Sequence, residues 1–594
     1  MQRNPQPGSS GLFCFVVVLL LGFCSQALGD ENANFRRISQ DYIDQMPALS
    51  PVGATQIGDH RFDGEMDDVS EASRQRTRVF NQGILDRLER IDRDALSRDL
   101  QVDAALLRHE LRHNLWQMDT FQAWAWNPLV YTGKAGGSIY GLMAREFAPI
   151  ARRLERVTER LEKLPSFFEQ VRATLQPARV PRIHAETAVK QNRGVLSIID
   201  EMVLPVMGEL SAANRERLES AIAATRVAVE EHGRWMEDTM LPQAKGDFRV
   251  GRELFDQKLA FALHTPLSRE QVKARAEHEF EKVRREMYDV SCRIYLGQFP
   301  LTEFPSNPVD SYRQAIIRSA LELSYLDRPK RGEIPDVARA QVKEATEFVI
   351  AKEIVTMTDD PLEIILMPEF QRGVSFAYCD APGPLDKGLK TFYAVSPIPS
   401  EWTVKQVDSF LREYNIWSMH DLTMHEAVPG HYLQLAHSNQ YPSTLRALLS
   451  SGSFVEGWAV YSERVMVDAG YLGGDDRMRL INLKWYLRGI TNAMMDQAIH
   501  VDGMTRDEAM RLMVEGGFQE EREAAGKWTR AQLTSAQLST YFVGTQEHWD
   551  LRRQVENKWG EAFTLKKYHD QILSYGSPPV QFVRALVMGE KIPE

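Results

Sequence analysis

Cysteine is scarce in this chain: its 594 residues contain four, too few for a disulfide scaffold. Cys14 and Cys24 lie in an apolar N-terminal segment, which leaves Cys292 and Cys379 for the rest of the protein. Neither has the Cys-x-x-Cys spacing of metal and redox sites. The two could pair in an oxidising compartment or remain separate thiols, so packing must provide most of the stability.

Basic stripes, long apolar runs and flexible linkers are also missing. The formal net charge is −11 and both signs are interspersed, which argues against a nucleic-acid partner. Beyond the N-terminal segment no run approaches about 18 uninterrupted apolar residues, so no stable membrane insertion is expected. Without a linker rich in Pro, Ser or Gly, and without a repeat, residues 30–594 are predicted to form one unit.

The N-terminal segment is typical of an export signal. Arg3 provides the positive flank, Leu12 to Phe23 form the apolar run, and Ala27-Leu28-Gly29 is a small-x-small cleavage site. This pattern predicts a cleaved signal over residues 1–29 and a secreted or periplasmic protein. An uncleaved anchor is the alternative, but the run is short for a membrane span. Lipid attachment at Cys24 is disfavoured by the bulky residue before it.

Apolar spacing predicts a mainly α protein. With 43% hydrophobic and 26% charged residues, the composition is that of an ordinary globular protein. Residues 30–360 have mostly helical periodicity, 361–400 contain two or three short strand-like runs, and 401–594 return to helix. We therefore predict two helical lobes with a small β-sheet near the cleft between them.

Two kinds of local signal support the helices. One stripe has helical spacing, and Pro165 within it is expected to kink or divide the helix. The stripe comprises Leu154, Val157, Leu161, Leu164, Phe168, Val171 and Leu175. Capping-box pairs mark three helix starts: Ser268 with Gln271, Thr403 with Gln406, and Thr505 with Glu508.

The segment HEAVPGH, residues 425–431, contains the strongest candidate chemistry. In the common HExxH zinc motif, two histidines four residues apart share a helix face, and the glutamate beside the first is the general base. Here His425 and His431 are six apart, which in a regular helix is a turn of about 600° and a rise of about 9 Å. Pro429-Gly430 can break the helix and bring His431 back to His425. Glu426 is then the candidate base.

A mononuclear catalytic zinc ion needs a third protein ligand and an open position for water. Glu456, in the segment FVEGWAVYSERV, is the best candidate. Glu463 follows seven residues later on the same helix face, where it could orient a ligand histidine. The roles of the two glutamates could be reversed. The sequence thus predicts one Zn²⁺ per chain, bound by His425, His431 and Glu456.

Other polar residues have weaker support. Tyr541 and His569 are candidates to donate a hydrogen bond to a developing oxyanion, although either could be an ordinary packed residue. The predicted strands could bind an extended peptide at a sheet edge, beside Tyr378, Phe392, Tyr393 and Trp402, unless these aromatics belong to the core. Structural roles are expected for four further histidines, namely His420, His437, His500 and His548.

Several segments together resemble one bacterial family, called domain of unknown function 885. They are HEA-x-PGH with the following Leu-Gln, PALSPVGATQIGDHRFDGEMDDVS, FAYCDAPGPL, FYAVSPIPSEW, FVEGWAVYSERV, LSTYFVG and YHDQILSYGSPPV. The resemblance covers most of the chain and implies a largely helical, zinc-peptidase-like protein with two His ligands and one Glu ligand.

Residue chemistry and resemblance together favour a zinc-dependent metallopeptidase that acts on a peptide substrate. In this mechanism Glu426 takes a proton from the attacking water and passes it to the leaving amine. Two alternatives stay open: a zinc hydrolase of a nonpeptide amide, and a noncatalytic peptide-binding protein with a vestigial site. A base beside a metal ligand argues against the second, because a structural zinc ion needs none.

Overall fold

The computed structural model of the chain describes Met1 and residues 13–368, 371–372 and 375–594, without side chains for 13–30. Residues 2–12 of the predicted signal therefore lie outside the description, as do the side chains of its residues 13–29 and Val374 at the start of a predicted strand. Within the described part of the chain, no helix combines the length and apolarity required to cross a bilayer.

Helices form most of the described chain before residue 352. Short 3-10 and π-helical turns join several of them. Their bounds are α1 (Phe13–Leu49), α2 (Pro51–Gln56), α3 (Glu71–Leu88), α4 (Arg98–Trp116), α5 (Ala123–Trp126), α6 (Leu129–Met143), α7 (Ile150–Thr174), α8 (Arg182–Asn192), α9 (Gly194–Ile198), α10 (Ala212–Trp235), α11 (Leu241–Gln243), α12 (Gly251–Leu263), α13 (Arg269–Gln298), α14 (Asp310–Ser324) and α15 (Ile334–Ala351).

The stripe predicted in the sequence lies on α7 and is fully buried. Pro165 lies inside this helix without dividing it. All three predicted capping boxes are also present, at the starts of α13 and of two helices near the C-terminus. In each, the Ser or Thr side chain accepts from the backbone N–H three residues on, so local side-chain chemistry fixed these helix starts.

A small mixed sheet interrupts the helices, as expected. Its strands are β1 (Leu362–Leu366), β2 (Ala377–Asp380) and β3 (Thr391–Val395), in the order β1-β3-β2. Strand β3 is parallel to β1 and antiparallel to β2. The central strand is buried along its whole length, while β2 forms one edge of the sheet. Strands β1 and β2 are therefore the two edges, and each has backbone groups on its outer side available to a partner.

The C-terminal part of the chain is helical again. Its helices are α16 (Val404–Glu413), α17 (Ile416–Glu426), α18 (His431–Ser438), α19 (Thr444–Leu448), α20 (Gly452–Asp468), α21 (Asp476–Gln497), α22 (Arg506–Arg511), α23 (Glu521–Leu533), α24 (Ser539–Trp559), α25 (Leu565–Leu573) and α26 (Val580–Met588). The protein is thus mainly α with a small sheet, as predicted.

One hydrophobic core joins the sheet to the C-terminal helices. It takes buried residues from α15, β3, α17, α18, α20 and α25, including Val349, Tyr393, Met419, Leu433, Trp458 and Ile572. The sequence left open whether Cys292 and Cys379 pair or remain separate. Both are free thiols in the structure. The packed core holds α17, α18 and α20 against one another, and these three helices carry the candidate metal ligands.

Candidate metal centre

The helix that carries His425 ends between the two motif histidines. Helix α17 stops at Glu426 and α18 begins at His431, so the break expected from Pro429-Gly430 is present. Ala427, with φ −118° and ψ −87°, turns the chain out of the helix, and the Val428–Pro429 bond is cis. The imidazole rings of His425 and His431 consequently lie with centroids 4.6 Å apart, at 84° to each other.

Two features fix this turn. Trp458 Nε1 on α20 donates to the carbonyl oxygen of Pro429 at 2.9 Å, which ties the turn to the helix carrying Glu456. Gly430 is required there because a Cβ atom at this position would overlap the backbone carbonyl oxygens of His425 and Met424. Its φ is −72°, so the position needs glycine for space rather than for left-handed backbone geometry.

Glu456 completes a cluster of three metal-ligand side chains. One oxygen, Oε2, lies 3.4 Å from His431 Nε2 and 3.7 Å from His425 Nε2. One potential ligand atom from each of the three residues can be chosen so that all three lie within 4.8 Å of one another. Two ligands of a tetrahedral zinc ion, each about 2.0 to 2.1 Å from it, are about 3.4 Å apart. The donor set of two imidazole nitrogens and one carboxylate oxygen therefore fits zinc in chemistry and in spacing.

Glu463 lies behind His425 rather than beside Glu456. Its Oε1 is 2.6 Å from His425 Nδ1, and its own side chain is 2% exposed. Asn482 Nδ2 donates to Glu463 Oε2 at 3.4 Å and to Asp421 Oδ1 at 3.0 Å. Because Glu463 engages Nδ1, the nitrogen of His425 that faces Glu456 is Nε2. The sequence left open which glutamate is the ligand and which one orients a ligand histidine. The geometry favours Glu463 as the residue that orients His425.

His425 and Glu456 stabilise each other's charged forms. Burial disfavours the charged form of His425, but hydrogen bonds to Glu456 and Glu463 outweigh it and raise the pKa of His425 well above its ordinary value. Burial alone would raise the pKa of Glu456, but hydrogen bonds from His425 and His431 lower it well below its usual range. The negative charges of Glu456 and Glu463 thus favour a positive charge at His425, which either a proton or a bound metal ion can supply.

His431 differs from His425 in its second nitrogen. Its Nδ1 is buried and has no hydrogen-bond partner among the residues that the structure describes. A ligand histidine commonly donates its other N–H to a carboxylate or carbonyl group, as His425 does to Glu463. Of the two imidazoles, therefore, only His425 has a second-nitrogen contact that fixes its ring.

Glu426 lies at the end of α17, next to the cluster. It is 8% exposed and lines the same cavity as His425, His431 and Glu456. None of the described residues hydrogen-bonds its carboxylate, in contrast to the heavily bonded Glu463. A carboxylate in this position can accept a proton from a molecule bound in the cavity.

The cavity has a volume of about 1000 Å³. The edge strand β2, through Ala377 to Cys379, and helices α23 and α24 form other parts of its wall. Tyr541 on α24 lines it, and Arg530 Nη2 and Gln537 Nε2 donate to the Tyr541 hydroxyl oxygen at 3.2 and 3.4 Å. Since that oxygen is an acceptor in both contacts, the Tyr541 proton is free to be donated into the cavity.

Of the two roles left open for His569, oxyanion donor or packed residue, its surroundings favour the second. His569 is fully buried, and its two ring nitrogens are 2.8 Å from the Tyr461 hydroxyl and 2.8 Å from the Ile354 carbonyl oxygen. It is not among the residues that line the cavity. Burial lowers the pKa of His569 to about 3, so it is a neutral, packed histidine.

Other predicted residues divide between the cavity and the core. Tyr378 and Trp402 line the cavity, whereas Phe392 and Tyr393 are buried away from it. The four histidines expected to be structural have ordinary partners: His420 bonds Tyr471, while His437, His500 and His548 bond backbone carbonyl groups.

Sequence reasoning missed a group of basic residues in the cavity wall. Lys527 and Arg530 come from α23, and Arg488 comes from α21. The spacing of Glu523, Lys527 and Arg530, four and three residues apart, does place them on one helix face. That pattern is usually a solvated face, and only the tertiary structure shows that it is turned inward.

Comparisons with known proteins give a consistent result. A protein of unknown function from Shewanella oneidensis, provisionally described as a lipoprotein, has a similar structure, with a TM-score of 0.77 and 33% sequence identity over 93% of this chain and 99% of that one. Another protein provisionally described as a lipoprotein, from Colwellia psychrerythraea, has a TM-score of 0.73 at 16% identity over 95% of this chain and 99% of its own, which shows a shared fold.

Comparison with curated proteins finds no match. A family model, described as bacterial protein of unknown function (DUF885), matches residues 51–587. Because the family model matches most of its length, and because it is similar to the Shewanella protein, the chain belongs to the DUF885 family of bacterial proteins.

Proposed function

We propose that this protein is a zinc-dependent metallopeptidase that cleaves peptide bonds with water. The observation that carries the proposal is the convergence of His425, His431 and Glu456 beside the unbonded carboxylate of Glu426, at the wall of a large cavity. A purely structural zinc site has four protein ligands and no adjacent base. Three ligands next to a free carboxylate are the arrangement of a hydrolytic site.

Each residue has a separate task. Zinc held by His425, His431 and Glu456 would supply a Lewis acid that polarises the scissile carbonyl and lowers the pKa of water. Glu426 takes the water proton and returns it to the leaving amine. Glu463 keeps His425 in the tautomer that has Nε2 available. Tyr541 donates a hydrogen bond to the carbonyl oxygen as negative charge develops there, and Arg530 holds the Tyr541 hydroxyl in place.

A peptide substrate is supported by the sheet edge in the cavity. Strand β2 pairs with β3 on one side, and its residues Ala377 to Cys379 line the cavity. An extended peptide can hydrogen-bond to such an edge through its backbone, whatever its side chains. A nonpeptide amide would use the same catalytic groups but would not need a strand. The free carboxylate of Glu426 disfavours a noncatalytic binding protein.

The cleaved signal over residues 1–29 and a secreted or periplasmic location form part of the proposal. The descriptions of the two similar structures as lipoproteins fit a chain that is exported. A single catalytic unit over 30–594, with two helical lobes on either side of the cavity, remains a prediction of the same kind.

Metal analysis and a peptide-library digest of the purified mature protein test the proposal together. We expect about one zinc ion per chain, and cleavage of library peptides that is abolished by chelation and restored by zinc. Replacing both His425 and His431 by Ala should remove the metal, because two ligand bonds are lost. Full zinc occupancy in that double variant would exclude this ligand set.

Glu426→Gln provides the matched catalytic test. The amide has nearly the same shape but cannot accept a proton, so we expect zinc content and unfolding temperature to be kept while turnover falls by several orders of magnitude. A Glu426→Gln protein that lost zinc would identify Glu426 as a ligand. One that kept full activity would remove it from the mechanism.

A further inference from the structure

One part of the cavity wall contains several basic residues. In α23, the segment EREAAGKWTRAQL spaces Glu523, Lys527 and Arg530 so that all three face one side of the helix. All three line the cavity, together with Arg488 from α21. Although ammonium groups are rarely buried without a partner, the Lys527 side chain is only 6% exposed.

The acidic member of this group is fully engaged. Glu523 Oε1 accepts a hydrogen bond from Arg488 Nη2, and Glu523 Oε2 accepts one from the Tyr414 hydroxyl at 3.1 Å. The charge of Glu523 is therefore balanced by Arg488. Neither of its oxygens hydrogen-bonds Lys527 or Arg530, although its negative charge acts on Lys527.

Among the described residues, no carboxylate lies within hydrogen-bonding or ion-pair distance of Lys527 or Arg530. In the part of the chain that the structure describes, Lys527 Nζ has no hydrogen bond and no ion pair. Arg530 donates only to neutral groups, the amide oxygen of Gln537 and the hydroxyl of Tyr541, each at 3.2 Å. Burial, and then the charges of Arg488 and Arg530, lower the pKa of Lys527 well below its usual range. A bound anion would compensate for the burial of the Lys527 ammonium group and for its repulsion by Arg488 and Arg530.

The basic pair is also close to the proposed chemistry. Arg530 hydrogen-bonds Tyr541, the candidate donor to the scissile carbonyl, and the negative charge of Glu456 acts on both Lys527 and Arg530. A group bound by the pair therefore belongs to the part of the substrate next to the cleaved bond. A carboxylate suits the pair, since a guanidinium and an ammonium can each donate to its oxygens.

We propose that Lys527 and Arg530 form a subsite for a carboxylate group of the substrate, so that the enzyme prefers peptides with a carboxylate next to the scissile bond. This inference rests on the proposed peptidase function for its substrate class. The carboxylate has two possible sources, the C-terminus of the peptide or an Asp or Glu side chain. The first would make the protein a carboxypeptidase, and the second would make it selective for acidic residues.

Binding to a protein that cannot turn over separates these sources. The zinc-loaded, full-length mature Glu426→Gln variant would be titrated by calorimetry with three peptides of one parent sequence: a neutral peptide with a free C-terminus, its C-terminal amide, and an amide with one Gln changed to Glu. We expect one carboxylate-bearing peptide to bind about 30-fold or more tightly than the neutral amide, because a desolvated ion pair is formed. Equal binding of all three would overturn the proposal.

Variants assign the preference to residues. Adding Lys527→Met should reduce the preference to a few-fold while binding of the neutral amide stays unchanged. Lys258→Met is the matched control, because Lys258 is a largely buried lysine that donates to Ser535 at 2.8 Å and does not line the cavity. It should keep the preference. If Lys527→Met weakened all three peptides equally, Lys527 would have another role and the proposal would be wrong.

The outcome is independent of whether the peptidase proposal succeeds. Selective binding of a carboxylate peptide by Glu426→Gln, with no cleavage of any library peptide by the wild type, would refute the peptidase and leave the subsite standing. Cleavage of free-acid and amide peptides with equal kcat/KM, together with equal binding, would refute the subsite and leave the peptidase standing. The comparison of peptides needs no Lys527 variant, so a variant that fails to fold does not prevent the test.

Discussion

Gly430 packs directly against the backbone of His425: a Cβ atom on Gly430 would lie 1.9 Å from the His425 carbonyl oxygen and 2.4 Å from that of Met424. Real Cβ atoms do not approach backbone oxygens so closely. The turn that brings His431 back to His425 can therefore close only if residue 430 has no side chain. This contact, rather than an unusual φ, is the reason for glycine in the motif HEAVPGH.

Gly430→Ala should open the turn and separate the two histidines. We expect lower zinc affinity and a loss of stability of at least about 1 to 3 kcal/mol, since backbone carbonyls cannot move aside as a flexible side chain can. Competition with a chelator and urea unfolding would measure the two effects. Gly83→Ala is the control, because Gly83 lies inside α3 with nothing within 4 Å of an added Cβ. Unchanged zinc affinity in Gly430→Ala would show that the turn tolerates a side chain.

Glu463→Gln should weaken zinc binding without removing a ligand. The Glu463 carboxylate accepts from His425 Nδ1 at 2.6 Å, and an amide would hold the ring less firmly and make Nε2 a weaker donor to the metal. We expect a loss of zinc affinity of about 10- to 100-fold, measured by chelator competition. Glu344→Gln is a suitable control, because Glu344 lies 3.9 Å from His420 Nε2, outside the metal cluster. A complete loss of zinc would instead make Glu463 a ligand.

Local signals in the sequence were enough for much of this site. The amphipathic stripe of α7 and the three capping boxes depend on residues three or four apart, and all were found as predicted. His425, His431 and Glu456 also lie together, because Pro429-Gly430 restricts the chain so strongly that a break in the helix could be expected.

The errors have a common physical cause. His569 and Tyr541 are both polar residues on C-terminal helices, but only the packing of α20, α24 and α25 decides which of them faces the cavity. Lys527 and Arg530 have the spacing of an exposed helix face, and their burial follows from contacts made far away in sequence. The required space at Gly430 likewise depends on tertiary geometry, which spacing does not reveal.

His60 should make the stability of the protein depend on pH. Its ring nitrogens lie 2.9 Å from Asp63 Oδ2 and 3.1 Å from Asp386 Oδ1, which connects the N-terminal helices to the segment after β2. Burial opposes protonation, but the hydrogen bonds to Asp386 and Asp63 outweigh it and raise the pKa of His60 from 6.5 to about 9. The folded state therefore binds this proton more tightly than the unfolded chain does.

The stabilisation from His60 is complete below about pH 6.5 and is lost as the pH rises through about 9. Urea unfolding at pH 6 and pH 10 should show a smaller stability at the higher pH in the wild type. At pH 6 the His60→Gln variant should have a smaller free energy of unfolding than the wild type. Between pH 6 and pH 10 that free energy should fall by less than it does in the wild type. The same pH dependence in both proteins would show that other groups cause it.

Tyr541→Phe should reduce catalysis while leaving the metal in place. The Tyr541 hydroxyl accepts from Arg530 and Gln537, so its proton is available to a developing oxyanion in the cavity. Such a bond is stronger in the transition state than with bound substrate, so its loss lowers kcat with little change in KM. We expect a fall in kcat of about 100-fold or more, with zinc content and peptide binding unchanged.

Tyr461→Phe tests whether that effect is specific to Tyr541. The Tyr461 hydroxyl contacts His569 at 2.8 Å in the core below the cavity. Its removal should lower the free energy of unfolding but leave kcat nearly as it was, because neither residue lines the cavity. If the Tyr461 variant lost as much kcat as Tyr541→Phe at equal zinc content, the donor could not be assigned to Tyr541, and a path through His569 would have to be reconsidered. A rise in KM alone in Tyr541→Phe would make that hydroxyl a substrate contact instead.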